Sequence, residues 1–395
     1  MRITSVDAFA LRFEPPRGAD LASARASGSS VLSAETDSYG DYYIHRGEWT
    51  SIYSNRFETT VVRIETDGGV VGWGEAQSPV SPRTSRTIVE DLLRPVLIGA
   101  DPFDVEALWQ RGFGAMRERG HPTGFYVDAL GGVDVALLDI VGKTVGKPVH
   151  KLVGGRFRDK VALYAGLSGT DPEKVAAQAR EHVGYGYRAL KLHLRGPRER
   201  ILKIVAATRA VVGPDVQLMV DVHTTLDVPG AVLLGRGLEE HDVFWLESPV
   251  APEDIKGQSE IARALDMAVC VGEWSRTRFE MREAFERRAG DFYNFDIGRT
   301  GITEGKKIAS LADTYGIRVT PHIGAGGILS IAASIHFSAA IPNFLIMEHS
   351  HGSHAEKMKI CSVAPEPVDG AFLLDDRPGI GVEIDEDAVR RYAVA

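Results

Sequence analysis

The sequence predicts an α/β fold, a modified (β/α)8 TIM-type barrel with an N-terminal α+β capping domain that the C-terminal tail completes. Acidic residues end three short apolar segments, Asp221 in QLMVD, Glu247 in VFWLE and Glu273 in VCVGE, at intervals of 26 and 26 residues. The rhythm continues at intervals of 23, 26 and 26 residues through Asp296, His322 and Glu348. An interval in the mid-twenties is the length of one strand, one crossover helix and two loops. The chain of 395 residues also leaves room for a second, smaller domain.

The N-terminal region has the pattern of an antiparallel sheet followed by helices. Residues 3–13 and 57–66 alternate like strands, with a turn at 67–69, and residues 85–98, 103–118 and 124–146 have helical periodicity. Between the two strands lies an insert that is rich in Ala, Ser and Gly and then in aromatic residues. We expect a lid loop over residues 14–56, with a surface excursion or an oligomer contact as the alternative. The candidate substrate contacts in this lid are Tyr42, His45, Arg46 and Trp49.

The barrel is predicted from eight strand candidates with helical patterns between them. Its closing helix should begin near Ile328 and Leu329, and the tail has strand and turn character in PGIGVEID. We therefore expect a capping domain over 1–125, a catalytic barrel over 126–355 and a C-terminal segment over 356–395 that returns to the capping domain. The strand candidates are 161–166, 189–194, 217–222, 243–248, 268–273, 292–297, 318–323 and 344–349.

Composition excludes several classes of function. The formal net charge of −9 argues against a nucleic-acid partner. No apolar segment approaches the roughly 18 residues of a membrane span, and the first residues lack the apolar core of a signal peptide. The two cysteines, Cys270 and Cys361, make no disulfide framework, so we expect a cytoplasmic protein. We also expect a homo-oligomer that binds a small-molecule carboxylate and neither nucleic acid nor membrane.

Two sets of residues resemble one known family along essentially the whole chain. The first is the segment ALGGVDVALLDIVGK at 129–143, followed by GKP at 146–148 and LVGG at 152–155. The second is the ordered series of polar residues at the predicted strand ends, which begins with Lys191 and His193. Together they resemble the enolase superfamily, mandelate racemase subgroup.

A metal site is indicated by the residues and by the resemblance. Three carboxylates that converge at one end of a barrel could not all stay ionised without a cation. The resemblance implies that the cation is Mg²⁺, held by Asp221, Glu247 and Glu273, and that it binds the carboxylate of the substrate. Such a metal stabilises the enediolate that forms when an α-proton is removed.

The resemblance implies catalytic roles for residues on the last three strands. Asp296 and His322 would form an acid/base dyad, in which the carboxylate fixes the tautomer of the imidazole. Glu348 would be the electrophilic residue that hydrogen-bonds a substrate oxygen, so we expect its pKa to be raised. A structural salt bridge is the alternative for Glu348.

Three more residues are catalytic candidates. Lys191 and His193 alternate on one strand and should both face the interior of the barrel. Lys191 would neutralise the substrate carboxylate. The family often has a second lysine where this chain has His193, so His193 is either a base or a residue that packs there or supports the metal ligands. His223 resembles the histidine of acid-sugar dehydratases that protonates a leaving hydroxyl, and a supporting contact beside the metal is its alternative.

The pattern as a whole predicts a Mg²⁺-dependent dehydratase. It would remove the α-proton of a sugar-acid carboxylate and expel the β-hydroxyl to give a 2-keto-3-deoxy acid. A racemase, epimerase or cycloisomerase that shares the enediolate half-reaction is the alternative. A non-catalytic protein that binds a metal or a sugar acid is a more remote one.

Overall fold

The N-terminal region folds as a three-stranded antiparallel sheet. The computed structural model describes residues 1–13, 36–40, 42–46 and 50–395. Its strands are β1 (Ile3–Phe13), β5 (Phe57–Thr66) and β6 (Val71–Ala76). They lie in the order β1-β5-β6, and β1 pairs with β5 in a continuous register from Ser5–Glu65 to Phe13–Phe57.

The long helix Phe125–Val145 packs directly on this sheet. A Cβ atom on Gly72 would lie 2.1 Å from the carbonyl oxygen of Ala136, and one on Gly74 would lie 2.0 Å from that of Gly132. The strand β6 must therefore carry glycine at these positions for the helix to approach it. Shorter helical segments complete this region at Pro82–Thr87, Ile88–Leu93, Arg94–Leu97 and Val105–Arg117.

Eight parallel strands form the barrel, as the sequence predicts. They are β7 (Lys160–Ser168), β8 (Ala189–His193), β9 (Gln217–Asp221), β10 (Val243–Glu247), β11 (Ala268–Val271), β12 (Phe292–Tyr293), β13 (Arg318–Val319) and β14 (Met347–His349). They pair in chain order from β7 to β13, and β14 pairs with β7 in parallel. A bridge between Val319 and Phe344 links β13 to the segment just before β14 and closes the ring.

Crossover helices surround the strands, and their apolar sides form the core between barrel and helices. The closing helix begins at Ile328, which confirms the prediction from the sequence. The strands β12 and β13 are shorter than predicted, and soon after β12 the chain turns into the helix Ile297–Thr300. The main helices are Pro172–Gly184, Arg198–Val212, Val228–Glu239, Ile255–Ala264, Arg278–Arg287, Ile302–Thr314 and Ile328–Ala339.

The C-terminal tail contacts both parts of the chain. Its strand Ala371–Leu373 pairs antiparallel with β7, at the edge of the barrel. Its last helix, Glu386–Tyr392, is followed by Val394, whose N–H donates to the Ala10 carbonyl of β1 at 2.8 Å. The domain boundaries expected from the sequence stay a prediction. Across the described residues, no helix combines the length and the apolar character that a membrane span requires.

The described part of the insert forms a small antiparallel sheet, which we call the insert sheet. It consists of β2 (Thr36–Tyr39), β3 (Tyr42–Arg46) and β4 (Thr50–Ser54) in the order β2-β3-β4. Three of the candidate lid residues, Tyr42, His45 and Arg46, lie on β3. Trp49 lies outside the described residues.

Candidate active site and metal centre

The acidic strand ends meet at the carboxyl-terminal mouth of the barrel. Asp221 and Glu247 are the last residues of β9 and β10, and Glu273 follows β11 by two residues. Because parallel strands end at one face of a barrel, their terminal side chains converge there. One ligand atom each from Asp221, His223 and Glu273 lies within 4.8 Å of the others, so this group could hold a metal ion. Asp221 and Glu273 are buried, and His223 is partly buried.

Glu247 lies beside this group and is held by three donors. Its Oε1 accepts from Lys191 Nζ at 2.6 Å and from Asn294 Nδ2 at 2.9 Å. Its Oε2 accepts from the indole N–H of Trp245 at 2.9 Å. Burial and the surrounding carboxylates raise the pKa of Glu247 to about 7, against the opposing effect of Lys191. Oε2 accepts no second hydrogen bond from the described residues, and Glu247, which lies outside the group that could hold a metal ion, stays a predicted ligand.

Asp296 and His322 form the hydrogen-bonded pair that the sequence predicts. Their backbones form a parallel bridge just beyond the ends of β12 and β13. His322 Nδ1 lies 3.0 Å from Asp296 Oδ2, while Nε2 lies 3.1 Å from Glu273 Oε2 and 3.4 Å from Glu348 Oε2. Burial opposes the charged ring, but Glu348, Glu273 and Asp296 outweigh it and raise the pKa of His322 to about 9. The Nε2 atom therefore faces the group of carboxylates, whose negative charge favours the protonated ring.

Backbone conformation at Gly324 makes room for the His322 ring. Gly324 has φ 48°, and a Cβ atom there would lie 2.5 Å from His322 Cε1. Only glycine fits such an approach without moving the ring.

Glu348 is held as an ion by the donors around it, so the raised pKa that we expected for it from the sequence is wrong. Its Oε2 accepts from the backbone N–H groups of Ile323 and Gly324, both at 2.9 Å. Its Oε1 lies 3.1 Å from Lys191 Nζ. Burial alone would raise the pKa of Glu348, but Lys191 and His322 hold it well below its usual range. Donors that hydrogen-bond the ionised form stabilise it, which the strand-end pattern alone does not reveal.

Lys191 and His193 both face the barrel interior, as predicted. Lys191 is fully buried, and its ammonium links Glu247 to Glu348. Burial opposes this charge, but Glu247 and Glu348 hold the pKa of Lys191 well above its ordinary value. His193 Nδ1 lies 3.0 Å from Asp221 Oδ2, and its Nε2 lies 3.9 Å from Glu348 Oε1. Its closest contact orients a predicted metal ligand, which favours the supporting role over the base.

His223 occupies a left-handed turn directly after β9. It has φ 50°, and its backbone N–H donates to Asp221 Oδ1 at 2.8 Å. The ring packs edge-on against Trp274, with centroids 5.5 Å apart. The hydroxyl oxygen of Tyr53, in the insert sheet, lies 3.5 Å from His223 Nε2. Non-glycine residues in this conformation cost energy and are concentrated at functional sites.

Some residues of the site were missed by the sequence analysis. Asn294 lies two residues before Asp296 on the same strand end, so alternation could have indicated that it also points inward. Trp245 stands two residues before Glu247 for the same reason. Tyr53 and Arg195 left no signal in the pattern, because they meet only when the insert sheet lies over the barrel.

These features define a barrel with a candidate metal site at its strand ends, and two family models match the chain in the same order. The model of the mandelate racemase / muconate lactonizing enzyme N-terminal domain matches residues 50–154. The enolase C-terminal domain-like model matches residues 174–388. The chain therefore belongs to the enolase superfamily, in the mandelate racemase / muconate lactonizing enzyme family. Members of this superfamily bind a divalent metal.

Individual relatives span nearly the whole chain. The chain is 32% identical over 359 residues to a D-galactarolactone cycloisomerase of Agrobacterium fabrum, which covers 87% of this chain and 94% of that protein. It is 31% identical over 370 residues to a D-xylonate dehydratase of Haloferax volcanii, covering 87% and 88%. The crystal structure of an enolase superfamily member from Agrobacterium tumefaciens superposes with a TM-score of 0.89 at 28% identity, covering 98% of each chain.

Proposed function

We propose that the protein is a Mg²⁺-dependent dehydratase that acts on the carboxylate of a sugar acid. One observation carries the proposal: two imidazoles, His322 and His223, converge on the same group of carboxylates around Glu273. A β-elimination requires one group that takes the α-proton and another that protonates the leaving hydroxyl. The dehydratase named among the relatives catalyses a reaction of this class, so the proposal agrees with it.

His322 is the base of the proposed reaction. Its Nδ1 is bonded to Asp296, so Nε2 is the nitrogen that would take the proton from the carbon next to the substrate carboxylate, once a cation held by Glu273 offsets the negative charge that favours the protonated ring. The Asp296 carboxylate stabilises the imidazolium that forms. Because both residues are buried, the dyad keeps its geometry without competition from water.

The carboxylate of the substrate would lie near Lys191 and the predicted metal ligands. Asp221, Glu273 and the remaining lone pair of Glu247 would hold Mg²⁺, which prefers oxygen ligands and leaves positions open for substrate oxygens. When bound, this metal supplies Lewis-acid stabilisation to the enediolate. Lys191, with its pKa held high, adds a fixed positive charge that offsets the charge developing on the carboxylate.

His223 is the acid of the proposed reaction. A hard cation favours carboxylate ligands over imidazole, which leaves the ring of His223 available for proton transfer. The electrons of the broken α-C–H bond form the double bond, the bond from the β-carbon to oxygen breaks, and the leaving hydroxyl takes the His223 proton and departs as water. The enol that remains becomes the 2-keto-3-deoxy acid.

The alternative reactions need only part of this machinery. A racemase, epimerase or cycloisomerase would use His322 and the metal, and the cycloisomerase among the relatives keeps this alternative open. His223 favours the dehydratase, because proton return to carbon does not require an acid at the β-oxygen. A binding protein without catalysis would not exchange the α-proton. The homo-oligomer and the cytoplasmic location expected from the sequence stay predictions.

A substrate screen tests the proposal. The purified protein with Mg²⁺ is incubated with mono- and diacid sugars, and 2-keto acid formation is measured by semicarbazide absorbance and mass spectrometry. We expect keto acid from at least one acid and none after EDTA treatment, with recovery on adding Mg²⁺ back. His322→Asn is the matched control for background. Conversion to an isomer alone, with no loss of water, would favour the alternative.

A further inference from the structure

A hydrogen-bonded chain connects the insert sheet to His223. The Tyr53 hydroxyl lies 3.5 Å from His223 Nε2 and accepts from Arg195 Nη2 at 3.3 Å. Arg195 follows β8, so the chain joins three separate parts of the sequence at the mouth of the barrel. Neither Tyr53 nor Arg195 has a role in the reaction as derived above.

The phenol of Tyr53 is held firmly in this position. Tyr53 and Tyr43 are directly opposite each other in the β3–β4 pair. Their rings stack with centroids 5.5 Å apart and an interplanar angle of 22°, and Tyr43 is 2% exposed. Stacked aromatic pairs across two strands stabilise the sheet and restrict the rings. The Tyr53 hydroxyl is therefore held by a ring that stacks on the buried ring of Tyr43.

The direction of the hydrogen bonds follows from the donors available. The guanidinium of Arg195 has only donors, so the Tyr53 oxygen must accept from it. The phenol hydrogen is then available for His223 Nε2 when that nitrogen is unprotonated. When Nε2 carries a proton, the phenol oxygen can accept it with its second lone pair. Tyr53 thus offers a hydrogen-bond partner to the ring in both protonation states.

We propose that Tyr53 is a positioning residue for His223, and that Arg195 fixes the phenol so that the acid is aligned only while the insert sheet lies on the barrel. This inference rests on the proposed function, because it assigns the alignment to the step in which the hydroxyl leaves. Proton abstraction by His322 does not involve this chain of contacts. No bond of Tyr53 breaks, and the proton that leaves with water comes from His223.

A positioning role of Tyr53 predicts slower elimination with unchanged exchange of the α-proton, whereas a merely structural role predicts that both reactions slow together. Tyr53→Phe keeps the ring stack on Tyr43 and removes only the hydroxyl. We expect the rate of keto acid formation to fall about 10- to 100-fold, since alignment contributes part of the effect of a positioned acid. Exchange of the substrate α-proton with D₂O should stay within about twofold of wild type, because His322 is unchanged. Arg195→Met should lower elimination in the same selective way.

A double variant tests whether Tyr53 acts through His223. If it does, Tyr53→Phe combined with His223→Asn should eliminate no more slowly than His223→Asn alone, because coupled residues are not additive. A second measurement is independent of catalysis. Hydrogen–deuterium exchange of the peptide over 50–56 should become faster in Tyr53→Phe and in Arg195→Met. It should stay unchanged in Tyr185→Phe, whose exposed side chain contacts Glu181 and His351 instead.

The outcomes separate this inference from the proposed function. Equal losses of exchange and elimination in Tyr53→Phe, wild-type rates in it, or additive losses in the double variant would each overturn the positioning role. Unaltered deuterium uptake over 50–56 in both variants would overturn the contact itself. Failure of the proposed function is distinguishable, because the wild-type protein would then form no keto acid from any sugar acid.

Discussion

A buried pair of histidines should make this protein sensitive to mild acid. His150 and His336 are 0% and 6% exposed, and their rings stack with centroids 5.3 Å apart. The Nδ1 atoms lie 3.1 Å apart, and the backbone N–H of His150 donates to His336 Nδ1 at 3.3 Å. Burial and the neighbouring His150 lower the pKa of His336 from 6.5 to about 4. The fold therefore holds His336 neutral.

The sign and size of the effect follow from that shift. Between pH 6.5 and 4 the unfolded chain binds more protons than the folded one at this residue, so the free energy of unfolding falls as the pH falls through this window. The contribution of His336 is present above pH 6.5, and about 2 kcal/mol of it should be lost at pH 5 and about 3 kcal/mol at pH 4. These losses are a large part of the stability of an ordinary domain.

Urea unfolding at pH 7.5 and pH 5.0 measures the loss. His336→Asn keeps a hydrogen-bond acceptor near the position of Nδ1 and cannot titrate. We expect the wild-type free energy of unfolding to fall by about 2 kcal/mol more than that of the variant between these pH values. His121→Gln, at an exposed position, is the control and should behave like wild type. An equal fall in wild type and His336→Asn would refute the reasoning.

Three further predictions concern the site. Glu247→Gln should abolish Mg²⁺ binding and turnover while the fold stays intact, because a charged ligand is lost. A wild-type affinity of this variant for Mg²⁺, measured by calorimetry, would remove Glu247 from the metal site. His322→Asn should lower the rate of keto acid formation in steady-state kinetics roughly 10²- to 10⁴-fold, and Asp296→Asn should lower it less. Full activity in His322→Asn would place the base elsewhere. Gly324→Ala should lower kcat by about tenfold or more and should also lower the thermal stability, since its methyl group would displace the His322 ring and its positive φ strains alanine. An unchanged kcat would contradict that clash.

Much of the barrel and of its strand ends could be predicted from the sequence. The interval of 26 residues is set by the geometry of strand, helix and loops, so it indicated which residues meet at the mouth before any contact was known. The pairing of Asp296 with His322 followed from neighbouring strands in the same way. Residues that share a strand end can be predicted because the barrel fixes their positions.

The remaining features depend on contacts between distant segments. The ionised state of Glu348 is set mainly by Lys191 and His322, which lie on or just after other strands of the barrel. The backbone N–H groups of Ile323 and Gly324 add hydrogen bonds, and their direction depends on a left-handed turn that the sequence does not specify. Tyr53 reaches His223 across 170 residues of chain. Such a contact depends on how an insert packs on the barrel, and no local period encodes it.

The most direct test of the central claim is the partition between exchange and elimination in D₂O. Wild-type protein, loaded with Mg²⁺ and given the sugar acid found in the screen, should release a 2-keto-3-deoxy acid, as followed by NMR. His223→Asn should still exchange the α-proton of that substrate for deuterium while keto acid formation falls at least about 100-fold. A wild-type protein that returns only deuterated or inverted substrate, or a His223→Asn variant that eliminates at the wild-type rate, would contradict the account.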